Sequence, residues 1–116
     1  MAWRPTTSEV TPDSFEEAVS NHKLIVLHFW AGWNQYDRQI DAVLAEIESE
    51  YEGRVFFGSV DADHHGHWKR CREFGIVNLP AIASFANGKY IETIIGMRSK
   101  EVLSKKLKEW TVAAGV

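Results

Sequence analysis

"LIVLHFWAGWNQYDRQIDAVLAEI", Leu24 to Ile47, decides the fold. Leu24 to Trp30 is a continuous apolar run of strand length, the pattern of a central strand covered on both faces. Beyond Ala31-Gly32, the apolar residues Ile40, Val43, Leu44 and Ile47 recur at helical spacing. Tyr51 extends that face, and Gly53 is the expected end of the helix. The stretch therefore reads as a buried strand running into a long amphipathic helix.

The flanks repeat the alternation. Thr7 to Val10 offers a weak first strand. Thr11-Pro12 is expected to open a helix, with Thr11 as its cap and Phe15, Val19 and Ala18 on its buried side. "VFFGSVDA", Val55 to Ala62, is a second central strand, and "HWKRCREF", His67 to Phe74, a short helix. "AIASFA", Asn87-Gly88 and "YIETII" read as a β-hairpin closed by a tight turn. Gly96 interrupts the end of that strand. Ser99 caps a last helix, with Val102, Leu103, Leu107 and Trp110 as its buried side. The order β-α-β-α-β-α-β-β-α contains two βαβ-type crossovers and a terminal hairpin. It predicts an α/β fold with a mixed central sheet flanked by helices on both faces. No repeat, linker or low-complexity segment interrupts it, so residues 1–116 are expected to form a single domain.

Composition excludes several classes of function. Apolar residues make up 45% of the 116 and charged residues 25%, which suits a soluble globular domain. A net charge of −3 gives no general pull toward nucleic acid or acidic membranes, so neither is an expected partner. No apolar stretch approaches the ~20 residues of a bilayer span. "MAWRPTTSEV" lacks the apolar core of a secretory leader, and a reducing, cytoplasmic setting is expected. Cys71 is the one cysteine, so no disulfide can close within the chain.

Five segments carry a resemblance. "SFEEAV", "VLHFWAGW", "VDAD", "FGIVNLPAIASFANGK" and "IIGMRSKEVLSKKL" look like successive segments of the thioredoxin family, from about Val10 to Trp110. The resemblance implies the thioredoxin fold. It also implies a cis peptide before Pro80 in "NLPA", facing the active-site motif. A finer likeness is carried by "KLIVLHFWAGW", "SVDAD" and "QIDAVLAEI". These look like the N-terminal thioredoxin-like domain of multidomain monothiol glutaredoxins of the PICOT type, where a histidine commonly precedes "FWA", as His28 does here. No glutaredoxin segment with its own cysteine motif is present, so no iron–sulfur or glutathione site carries over to any residue.

The resemblance makes the substitutions legible. Dithiol exchange needs an attacking thiolate and a second thiol to resolve the mixed disulfide. The family's two cysteine positions are Asn34 and Asp37 here, with Gln35 and Tyr36 between them. By position, the family's buried aspartate and lysine correspond to His28 and Ser59. No catalytic residue is therefore expected at the motif. Asn34 is a good helix cap and Asp37 suits a first helical turn, so the motif also reads as a well-made helix start. The resemblance places Trp33 and Tyr36 beside Leu79 and Pro80, on the surface that thioredoxins use to grip extended peptides, and aromatic residues make good anchors there. His28 and Ser59 form a buried sub-site. His28 and Asp37 are expected to approach each other, directly or through one water, because a buried imidazole needs a partner.

The remaining chemistry-bearing residues read more plainly. His64, His65 and His67 in "DHHGHW" are a solvated loop, their spacing matching no metal motif. No metal or other cofactor is expected. Cys71, between Arg70 and Arg72, is an ordinary half-buried thiol far from the motif, although those cations could lower its pKa. The functional expectation is a non-enzymatic, redox-inactive domain. It would work by contact with a protein or peptide segment, as an adaptor, chaperone-like or regulatory module in redox or iron–sulfur homeostasis. A neighbouring glutaredoxin domain is a further candidate partner if the chain is an excised domain. The alternative is a monothiol oxidoreductase using Cys71.

Overall fold

The computed structural model describes residues 2–116. Five strands and four α-helices alternate along it. They are β1 (Ser8–Glu9), α1 (Phe15–Asn21), β2 (Leu24–Trp30), α2 (Gln35–Glu50), β3 (Phe56–Asp61), α3 (Trp68–Glu73), β4 (Ala81–Ala86), β5 (Lys89–Ile95) and α4 (Lys100–Ala114). A 3-10 turn, His65–His67, leads into α3. The sheet order is β1-β3-β2-β4-β5. β1, β3 and β2 run parallel, while β4 is antiparallel to both β2 and β5. This is the mixed sheet with helices on both faces that the alternation implies.

Every residue of β2 is buried, and the alternation of a strand sends them to two different cores. Leu24 and Val26 pack with Ile40, Leu44 and Ile47 of α2 and Leu103, Leu107 and Trp110 of α4. Ile25, Leu27 and Phe29 pack on the other face with Phe15 of α1 and Phe74 beyond α3. His28 takes the period of Leu24 and Val26, and so lies under α2. Gly58 lets the parallel strands close: a Cβ there would come within 2.9 Å of Leu27 and of Val10.

The turns follow the sequence signals closely. Asn87 (φ 52°) and Gly88 (φ 80°) make the hairpin turn, both in the left-handed region a two-residue turn requires. The Ser99 side chain accepts from the Val102 N–H and caps α4. Trp110 Nε1 donates to Glu92 at 2.8 Å and Lys106 Nζ to the same carboxylate at 3.1 Å, tying α4 to β5.

Three local expectations are corrected. The first helix begins at Phe15 and not at Pro12, because Thr11 and Ser14 exchange hydrogen bonds and hold residues 11–14 in a turn. Val102 is exposed, because the buried stripe of α4 runs through Leu103, Leu107, Trp110 and Ala114, one position round the helix. α2 ends at Glu50, before Gly53, which sits at φ 81° in the turn that follows.

Candidate functional site

The motif loop joins the C-terminal end of β2 to the start of α2. Asn34 caps α2, its side-chain oxygen accepting from the Tyr36 N–H at 2.9 Å. Its amide nitrogen donates to the Leu79 carbonyl at 3.1 Å. One residue thus starts the helix and ties it to the loop before Pro80. The Leu79–Pro80 peptide is cis.

Under the loop lies a buried polar pair. His28 Nε2 is 2.9 Å from Asp37 Oδ1, and both side chains are fully buried. The other Asp37 oxygen accepts from the Ala31 N–H at 3.0 Å. Both carboxylate oxygens are therefore engaged, and the geometry fits a ring that donates from Nε2. The approach expected between these two residues is direct, with no need for a bridging water. His28 Nδ1 has no hydrogen-bond partner among the described residues. Ser59 pairs with His28 in the strand register, but its hydroxyl turns to the Thr7 and Ser8 carbonyls at 3.5 and 3.4 Å. His28 and Ser59 are thus neighbours without a bond between them.

Above the loop the surface is open and aromatic. Trp33 is 70% exposed, and its indole N–H reaches Asp63 at 3.3 Å. Tyr36 is half-exposed, Leu79 half-buried and Pro80 buried. Beside Trp33 lies a cleft of about 370 Å³, lined by Asp63, Trp68, Cys71, Arg72 and the segment from Ile76 to Leu79. Cys71 therefore does not lie far from the motif surface. It opens into the same cleft as Trp33 and Leu79, because α3 runs alongside the loop that leads to Pro80. It is the ordinary half-buried thiol that was expected. Burial pushes the Cys71 thiol above the usual range, and the downward pull of the Arg72 guanidinium is the smaller effect.

The histidine loop is only partly solvated. His64 and His65 are exposed and stack on one another with ring centroids 4.8 Å apart. His64 Nδ1 accepts from the Gly66 N–H. His67, by contrast, is buried against Phe15, 1% exposed. Burial depresses its pKa, with the nearby Arg70 charge adding to the effect.

Sequence reasoning missed Trp68, Arg72 and Val77 as cleft residues, since nothing in one sequence says which side of a short helix faces a distant loop. It also missed Asp41, a buried carboxylate that accepts from the Thr6 N–H and hydroxyl and ties the N-terminal segment to α2. That signal was available. Asp41 lies one turn beyond Asp37 on the same apolar face of the helix.

The chain matches the family model described as thioredoxin over residues 6–109. It is 32% identical to the thioredoxin of Pyropia yezoensis, over 90% of this chain and 97% of that protein. It is 30% identical to the thioredoxin of Synechocystis sp., over 90% of this chain and 96% of that one. Oxidized mitochondrial thioredoxin 3 of Saccharomyces cerevisiae superposes with a TM-score of 0.78, at 20% identity, covering 90% of this chain and 95% of that one. These relatives overturn the expectation of a redox-inactive adaptor. Proteins named thioredoxin, at about 30% identity over nearly the whole chain, point to redox activity, although this chain carries one cysteine and no dithiol motif.

Proposed function

Because this chain belongs to the thioredoxin family, we infer that its work is thiol–disulfide chemistry, carried out by one thiol in place of two. Cys71 is the exchanging group. The observation that carries the reading is its position in the cleft that Trp33 and Leu79 also line, next to the cis Leu79–Pro80 loop. In the reaction, the Cys71 thiolate attacks one sulfur of a disulfide. A mixed disulfide forms at Cys71 and the second sulfur leaves as a thiolate, which takes a proton. With no second cysteine in the chain, an external thiol releases the mixed disulfide and returns Cys71 to its reduced form.

The surface around the cleft serves recognition in this reading. Trp33 and Tyr36 act as aromatic anchors for a protein or peptide segment that carries the disulfide, and Leu79 and Pro80 form the wall it lies against. Asn34 and Asp37 take no part in the chemistry. They hold the loop, Asn34 through the Leu79 carbonyl and Asp37 through His28 and Ala31. The unit that acts is a single domain spanning residues 1–116. Its kinship with the thioredoxin-like domains of monothiol glutaredoxins rests on "KLIVLHFWAGW", "SVDAD" and "QIDAVLAEI". No helix among the described residues is long and apolar enough to cross a membrane.

The test is turnover of a neutral small disulfide with glutathione as the resolving thiol. Wild type is expected to exceed the uncatalysed rate, and Cys71→Ser to fall to it. Equal rates for the two proteins would overturn the proposal.

A further inference from the structure

We propose that His67 is a latch: its neutral ring holds α3 against the core, and protonation of that ring releases the helix. The inference rests on the reading of Cys71 as the exchanging thiol only in what the latch controls, since α3 carries that residue. The helix is weakly anchored by its own residues, none of which is buried. It hangs instead from the rings at its two ends. His67 precedes it, 1% exposed, with its ring centroid 6.2 Å from that of Phe15 in α1. Phe74 follows it and stacks on the same Phe15 ring at 6.1 Å. Arg70 adds a contact midway, its guanidinium 4.3 Å from the Phe15 centroid. An element with so few buried groups opens more readily than the strands beneath it.

The surroundings of His67 suit a neutral ring. Its Nδ1 is buried and has no hydrogen-bond partner among the described residues. An imidazolium donates from both nitrogens, so the charged ring would hold a buried N–H at Nδ1 without an acceptor. The groups that face it are divided. Arg70 from α3 and His64 from the preceding loop oppose a charge, while Asp61 at the end of β3 and the Val10 backbone favour one. Glu9 and Asp13 line the cavity that His67 shares with Asp61, His64 and His65. Glu16 of α1 faces Arg70 at 3.9 Å. Burial is the largest effect, and with Arg70 and His64 it outweighs Asp61 and Val10. The closed ring therefore takes a proton only below the ordinary histidine range. Once α3 swings out, the ring meets water and takes one at about pH 6.5. The closed form is thus favoured above that pH, and it loses ground below it because the open form binds the proton first.

Hydrogen exchange read by mass at residues 68–73, with residues 24–30 of β2 as the core reference, tests the latch at pH 7.5 and pH 5. Each rate is compared with that of the unfolded chain at the same pH, which removes the pH dependence of the exchange chemistry itself. In wild type, α3 is expected to be less protected than β2 at both values and to lose about tenfold in protection at the lower one. In His67→Gln, whose side chain does not titrate, that loss should disappear. Equal protection of α3 and β2 would overturn the proposal, because α3 would then open only with the whole fold. Protection of α3 that is the same at both values in wild type would overturn it too. So would an undiminished loss in His67→Gln, which would assign the effect to another of the facing groups. The first two of these outcomes need wild type alone, so the test stands even if His67→Gln does not fold. Disulfide exchange at Cys71 enters neither readout, and the latch and the reading of Cys71 therefore fail separately.

Discussion

His28 and Asp37 show what the motif becomes when its sulfur is replaced. Each alone would be an expensive buried group, and together with the Ala31 N–H they satisfy one another. Asp37→Ala should therefore cost about 3 kcal/mol, because it strands both the ring and the amide. Asp37→Asn should cost less, since an amide oxygen can still accept one of the two bonds. Urea denaturation of the two variants checks this ordering, and equal losses would count against it. Cys71 makes a second prediction at this scale. Its thiol is held above the usual range by burial, so its alkylation rate at neutral pH should be below that of a free cysteine. The rate should keep rising with pH after a model thiol has levelled off. A rate already flat at neutral pH would show a thiolate that the surroundings do not explain.

Among the elements, α2 is fixed at its start by one side chain. Asn34 caps the helix and holds the Leu79 carbonyl, so Asn34→Ala should cost about 1 kcal/mol for the cap. It should also loosen the loop before Pro80, which hydrogen exchange at residues 76–79 would report. Strand, helix and hairpin were legible in the sequence because each carries its own local signal. "LIVLHFW" is apolar without a break, and Asn87-Gly88 admits a turn that few other pairs can make. The short segments were less legible. Residues 11–14 form a turn through Thr11 and Ser14, where proline chemistry alone suggested a helix. The His28–Asp37 contact was legible only through the family resemblance, since their spacing of nine residues across a strand and a loop has no local signature. Cys71 was misplaced because its distance to Trp33 depends on how α3 docks, which is a tertiary fact.

For the molecule as a whole, two cores on either side of one sheet make stability sensitive to the few polar groups placed inside. His67 is the clearest case, because burial lowers its pKa in the folded chain. A histidine whose folded pKa lies below its unfolded value contributes stability that is fully present above about pH 6.5. That contribution is lost as the pH falls from there toward the folded value, because the unfolded chain takes up the proton first. Wild type should therefore lose more stability between pH 7.5 and pH 5 than His67→Gln does, a comparison that chemical denaturation at the two values makes directly.

The central claim is that this fold presents Cys71 to disulfides from its cleft. Peptide mapping by mass after exposure to a disulfide, once with the native chain and once in denaturant, tests it most directly. The account predicts that native wild type acquires an adduct at Cys71 and that a thiol then removes it. An adduct that forms only in denaturant, with the native thiol untouched, would contradict it.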